Sequence, residues 1–362
     1  AGVCPTNHFL FVCLSRRLHR TRGCQAFCEV SHFTFGCKIG SRDRPRPCYE
    51  QITHLKRSGM QSQPIKRITP LKGVRVLSLA LNLPGPAAMM RLRHRGATCI
   101  KLEPLAPSGA STADPMGLYK PSAYQTMHQG VRVVQADLKT ARGQTTMHKL
   151  LAKTDVLITS FRPSALAKLG LDWKALHQLY PHLCMVSVVG ASGDRAEEPG
   201  HDLTYLAENG LVNGLDLPAT LYADMGGSLM TTEAVLQALV LRQSSGQQKN
   251  RGVFQEVALC DAANYLALPR AWGLTTPDGD VGGAHAGYRI YSCKNGRVAV
   301  AALEPHFAKR LCLAVGLDEK SMHAMHARKT HQAFATFFAS QTRQQLDRLA
   351  TSKDIPLHTL AQ

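Results

Sequence analysis

The chain has 362 residues, 44% of them hydrophobic and 19% charged, enough for two domains and a sizeable buried core. That balance excludes global disorder and fibrous or collagen-like structure, and no apolar run approaches the roughly 18 residues of a membrane-spanning helix. A net charge of +18, from 43 Lys+Arg against 25 Asp+Glu, points to a polyanionic partner. Nucleic acid is one reading, and a phosphate-rich small molecule such as a nucleotide or coenzyme A is another. Aromatic residues are only 6% of the chain, and no RNA-stacking motif stands out, which weighs against nucleic acid.

Residues 1–59 differ from the rest. They hold six of the eleven cysteines and carry a charge of +7. Two copies of a 24-residue period are visible, Cys4–Cys24 and Cys28–Cys48, with His8, Phe9, Phe11, Cys13, Arg20, Arg22 and Cys24 each recurring. The Cys-x3-His-x4-Cys runs could supply zinc ligands, which would make the segment a pair of small modules able to bind nucleic acid. Their spacing matches no common zinc module. The other reading is repeat-derived sequence upstream of a natural start at Met60, outside the fold.

From Met60 the pattern alternates between strands and helices. Val74–Leu81 reads as a buried strand, broken by Asn82-Leu83-Pro84-Gly85-Pro86, and Ala87–His94 as a helix. Ala97–Leu102 and Gly130–Ala136 read as the second and third strands, followed by an amphipathic helix over Arg142–Lys153. Asp155–Thr159 is a fourth strand, Pro163–Leu169 and Trp173–Tyr180 are helical, and Cys184–Val189 is a fifth strand. A long helix fits Gly226–Arg242 and another strand fits Val253–Leu259. This βαβ series implies an α/β fold with a Rossmann-like, mostly parallel sheet covered on both faces. Asn295-Gly296 then signals an antiparallel hairpin, with helices over Glu304–Gln341. The expected division is a large domain at 60–280 and a smaller α+β domain at 281–362. The five cysteines after Met60 are scattered, which suits a reducing cytoplasm.

No G-x-G-x-x-G follows the first strand, and neither a P-loop nor a G-x-S-x-G elbow is present. Other residues could carry chemistry. His201, in Gly200-His201-Asp202, lies beyond the fifth strand, where parallel sheets bind ligands; it is either a proton carrier or a helix cap. Asp224, just before two glycines and the long helix, is either an N-cap or a nucleophile or base. Glu304 precedes Pro305 at a helix start. Lys101, Lys139, Arg162 and Lys168 follow strands or start helices, where cations hold phosphates or simply face solvent.

Several segments, taken in order, carry a resemblance. They are Leu71–Pro104, Val133–Gln144, Leu150–Trp173, Pro199–Leu211, Ala223–Ser228 and Gly296–Phe307. Together they resemble the family III CoA-transferases (CaiB/BaiF type), with the α-methylacyl-CoA racemases as the most similar subtype. The resemblance implies an enzyme with a coenzyme A thioester as substrate, a carboxylic acid as its acceptor in transfer, no permanently bound cofactor and no metal site. Asp224 falls on the transferase aspartate, which forms mixed-anhydride and aspartyl-CoA intermediates. His201, Asp224 and Glu304 fall on the racemase trio, in which histidine and aspartate form a two-base system. Phe161-Arg162-Pro163 resembles a CoA-contacting loop, with Lys101, Lys139 and Lys168 as further CoA contacts. The resemblance also implies a homodimer and a C-terminal return to the large domain, which is expected to be missing here. A CoA-binding protein without turnover is the alternative.

Overall fold

The computed structural model describes residues 68–244, 250–318 and 324–361. Both readings of residues 1–59, as zinc modules and as a segment outside the fold, lie outside the described residues.

Six strands form one parallel sheet: β1 (Arg75–Ser78), β2 (Thr98–Glu103), β3 (Arg132–Gln135), β4 (Val156–Thr159), β5 (Cys184–Val189) and β6 (Phe254–Ala258). Their order is β3-β2-β1-β4-β5-β6, the Rossmann order. Every residue of β4 and β5 is buried, because helices cover both faces. Strand alternation then sorts the core into two layers. Val76, Ile158 and Val186 face α1 (Pro84–His94), α7 (Asp202–Glu208), α8 (Tyr222–Gln243) and α9 (Leu259–Ala271). Leu77, Leu157 and Met185 face α4 (Ala141–Leu151), α5 (Pro163–Lys168) and α6 (Trp173–Leu179). The chain is thus α/β with a Rossmann-like sheet.

A second, antiparallel sheet joins β7 (Tyr288–Cys293), β8 (Gly296–Ala301) and β9 (Leu357–Leu360) in the order β7-β8-β9. The Asn295-Gly296 turn forms its hairpin as expected, with Cys293 opposite Gly296. Beneath it, α10 (Pro305–Val315), α11 (Arg328–Ala339) and α12 (Arg343–Lys353) bury Phe334, Phe338, Leu311 and Leu346 against Val298 and Val300.

Three local readings change. The long helix begins at Tyr222, not Gly226. Its two glycines do not open the helix, because they are points of close helix packing. A Cβ on Gly227 would sit 2.2 Å from Leu259 Cδ2, and one on Gly226 3.2 Å from Leu266 Cδ1. Asp224 therefore lies inside the first turn rather than at the cap. Two short helices, α2 (Pro115–Tyr119) and α3 (Pro121–Met127), occupy a stretch with no periodic signal. The final strand β9 and helix α12 extend the small lobe past the predicted helices.

Lys101 also departs from its expected role. It is fully buried on β2, so its ammonium is out of reach of a phosphate in solvent. Glu103 Oε1 stands 3.0 Å from Lys101 Nζ, and Asp114 Oδ2 accepts a short hydrogen bond from it. His128 Nε2 lies 3.0 Å away and Nδ1 lies 2.7 Å from the Tyr124 carbonyl oxygen. The carbonyl requires Nδ1 to donate, which leaves Nε2 to accept from Lys101. Burial and the Lys101 charge both lower the His128 pKa, in keeping with a neutral ring. Glu103, Asp114 and His128 converge closely enough to hold a cation, and the lysine supplies it.

Removing that cation leaves two carboxylates buried without a counter-charge. Lys101→Met, which keeps the volume, is expected to cost about 3–5 kcal/mol of unfolding free energy. Denaturant unfolding of the two proteins measures this, and equal midpoints and slopes would show that the cluster contributes nothing net.

Candidate active site

The neighbours β1 and β4 lead to helices on opposite faces of the sheet, so their C-terminal ends splay apart. A cavity of about 210 Å³ opens there. Leu81 and Asn82 line it from the exit of β1, Ser160, Phe161 and Arg162 from the exit of β4, and Val188 to Gly190 from the end of β5. Glu198, His201, Tyr205 and Asp224 close it from the following loop, α7 and α8. Pro84, immediately after the N-cap Leu83, starts α1 at once. A Cβ on Gly85 would lie 2.2 Å from the Ala80 side chain, so the strand-to-helix turn closes tightly with no room for a glycine-rich phosphate loop.

Asp224 is half-buried in the first turn of α8. Its pKa is pushed up to about 6, first by burial and second by the charge of Asp202. Asp202 is buried, and its Oδ1 accepts the Asp224 backbone N–H at 2.9 Å. This bond joins the start of α7 to the start of α8 and fixes the Asp224 backbone. The helix N-terminus adds a field that favours the ionised form when a ligand approaches. His201 is the N-cap of α7 through its backbone, and its exposed ring faces the cavity. His201 thus both caps α7 and lines the cavity. Tyr205 packs its ring and hydroxyl against Gly190 and Gly200, where a Cβ on either would come within 2.5 Å.

A second pocket, of about 410 Å³ and mostly apolar, lies at the ends of β2, β3 and β4. Leu102, Leu105, Leu138 and Leu169 form its walls, with Lys139 and Asp137 at its edge. Phe161 lines both pockets and is the partition between them.

The predicted residues separate into groups. Asp224, His201, Phe161 and Arg162 meet in the first cavity, and Lys139 joins Phe161 in the second. Pro163 is the first residue of α5, immediately beyond Arg162. Lys168, exposed in the last turn of α5, lines neither pocket. Glu304 caps α10 in the small lobe and lines neither. Lys101 is withdrawn into the core. Sequence reasoning missed Asn82, Asp202 and Tyr205 as cavity residues or supports. Asp202 was legible only as a helix start and Asn82 as a chain break, while Tyr205 carried no signal of its own.

Comparison with known proteins bears on the fold and the family. The chain is 30% identical to mouse α-methylacyl-CoA racemase over 75% of its own length and 73% of that protein. It is 28% identical to succinate–glutarate CoA-transferase of Agrobacterium fabrum over 74% and 72%. Among solved structures, a hypothetical protein of Mycobacterium tuberculosis superposes with a TM-score of 0.69 at 22% identity, covering 82% of this chain and 86% of its own. A CAIB/BAIF family protein of Brucella suis gives 0.66 at 24% identity, covering 82% and 85%, and these two show the fold. The sequence model described as CoA-transferase family III matches residues 71–362, and the chain belongs to that family.

Proposed function

We propose that the chain processes acyl-CoA thioesters with Asp224 as the reacting carboxylate. The observation that carries this reading is a pair of pockets sharing the Phe161 wall. One has a mixed lining and holds the raised-pKa carboxylate; the other is mostly apolar and edged by Lys139. A coenzyme A thioester has matching ends, a reactive acyl group and a flat nucleotide with phosphates. Arg162 and Lys139 are the candidate phosphate contacts, with Pro163 fixing the backbone of the β4 exit.

In CoA transfer the Asp224 carboxylate attacks the thioester carbonyl carbon. The C–S bond breaks, CoA leaves as thiolate, and a mixed anhydride forms on Asp224. The thiolate then attacks the aspartyl carbonyl and releases the first carboxylate, leaving an aspartyl-CoA thioester. A second carboxylic acid reverses these steps. Epimerisation of a 2-methylacyl-CoA is a second reading, favoured by the presence of His201 in the same cavity. One of the two residues removes the proton α to the carbonyl, and the other returns a proton to the opposite face.

The experiment that separates the two readings places a 2-methylacyl-CoA with the protein in D2O. Loss of the α-proton signal by NMR, abolished in Asp224→Asn, supports epimerisation. No exchange, with labelled CoA passing to an added carboxylic acid, supports transfer. Neither reaction from a folded protein overturns both.

Ionised Asp224 is the active form in transfer, and in epimerisation when Asp224 is the residue that removes the proton. The kcat/KM is therefore expected to rise with pH through about 6 and level off above it. Asp202→Asn keeps the acceptor for the Asp224 N–H and removes the neighbouring charge, so the rise should move to lower pH. An unmoved pH profile would contradict the assigned coupling.

A homodimer completes the reading. The outer face of α8 exposes Tyr222, Met225, Leu229, Leu236 and Val240, an apolar stripe at helical spacing, and Trp272 is exposed after α9. Leu229→Glu with Val240→Glu is expected to convert a dimer to monomer in sedimentation velocity. A wild-type monomer at micromolar concentration would remove the proposal.

A further inference from the structure

Either reaction places negative charge on the thioester oxygen, as a tetrahedral oxyanion or an enolate. A donor is needed to meet it. Backbone N–H groups are the usual source, and those at the exit of β1 beside this cavity are already engaged. Leu79 N–H goes to the Ile158 carbonyl at 2.8 Å, Ala80 N–H to Ser78 Oγ at 3.1 Å and Leu81 N–H to Ser160 Oγ at 3.3 Å. Asn82 N–H goes to Asp114 Oδ1 at 3.0 Å, Phe161 N–H to Thr159 Oγ1 at 3.2 Å, and Asp224 N–H to Asp202.

Asn82 is unusual in its backbone as well. It sits at φ +68°, and among described non-glycine residues only Asn250 and Asp354 share a positive φ. Such a residue persists where its surroundings fix it. Here the backbone is fixed by Asp114, which is itself held by Lys101, and the side chain is fixed by Tyr119. The Tyr119 hydroxyl donates to Asn82 Oδ1. Burial and the nearby charges of Asp114 and Asp224 raise the Tyr119 pKa, so the hydroxyl keeps its proton. With Oδ1 committed to Tyr119, the amide NH2 is the polar group that Asn82 has left for the cavity it lines.

We propose that Asn82 is a catalytic residue whose amide NH2 donates to the thioester oxygen as charge develops there, with Tyr119 as the positioning residue that sets the amide's orientation. This rests on the acyl-CoA reading above. It adds a donor from the exit of β1, opposite the carboxylate on α8.

The decisive variant is Asn82→Gly. Glycine takes φ +68° freely and keeps the N–H for Asp114, so only the amide is lost. The expected result is a fall in kcat of about 10²–10³, with KM for the acyl-CoA and affinity for free CoA unchanged. Tyr119→Phe leaves the amide in place but free to turn, and should lower kcat less, again without changing KM. A second readout needs no turnover. In an Asp224→Asn background, the 13C-carbonyl stretch of bound acyl-CoA should lie below its value in solution and return upward when Asn82→Gly is added. A wild-type kcat in Asn82→Gly, a change confined to KM, or an unmoved carbonyl stretch overturns the proposal. A kcat loss found only in Arg162→Met would transfer the role to that guanidinium. If the wild-type protein binds no acyl-CoA, the acyl-CoA reading fails and this proposal with it. If wild type turns over and Asn82→Gly matches it, this proposal alone fails.

Discussion

The arrangement depends on a lysine that has left water. Moving an ammonium into a protein core costs several kcal/mol, and only close partners make it tolerable. Lys101 has two carboxylates and a neutral imidazole around it, drawn from β2, the loop before α2, and the end of α3. Those partners give an otherwise irregular stretch a reason to fold back on the sheet. Thr112 and Tyr124 add hydroxyl donors to Glu103, so the carboxylate's acceptor sites are used. Asp114 carries the order outward: it accepts from Lys101, from Met116 at the start of α2, and from Asn82 at the cavity. A charge buried on one strand thereby fixes the backbone exit of its neighbour.

The sheet supplies the other half. Parallel strands end together on one side, and opposite helix placements at β1 and β4 leave a gap there. Two pieces of chain far apart in sequence fill its far wall, the starts of α7 and α8. The bond from Asp224 N–H to Asp202 ties them. It also brings a second carboxylate near the first, which helps hold the Asp224 pKa near 6. One contact therefore positions Asp224 and adds to the rise in pKa that burial begins.

Much of this was legible in the residues. β4 and β5 are buried on both faces, so DVLIT and CMVSVV read as unbroken apolar runs. His201, Asp224, Phe161 and Arg162 stood out because each follows a strand or starts a helix, where parallel sheets expose their ends. α2 and α3 did not stand out, since helices of five and seven residues carry no periodicity and are set by Pro115, Pro121 and the Asp114 cap. Lys101 was misread because two of the three residues that trap it lie 13 and 27 positions later, and Glu103 in its own strand does not announce them. The glycines of α8 were misread for a similar reason. Their purpose is contact with α9, and a residue shaped by a neighbouring helix looks locally like a break.

Phe161 forms a wall with two wet sides. On the proposed acyl-CoA reading one ligand occupies both pockets and passes this ring, which then acts as a fulcrum. Contacts made by the unreactive end in the apolar pocket then press on the same side chain that borders the reacting end. Tight seating of a part of the molecule that undergoes no change becomes accurate placement of the part that does. A shortened ligand would lose leverage as well as grip.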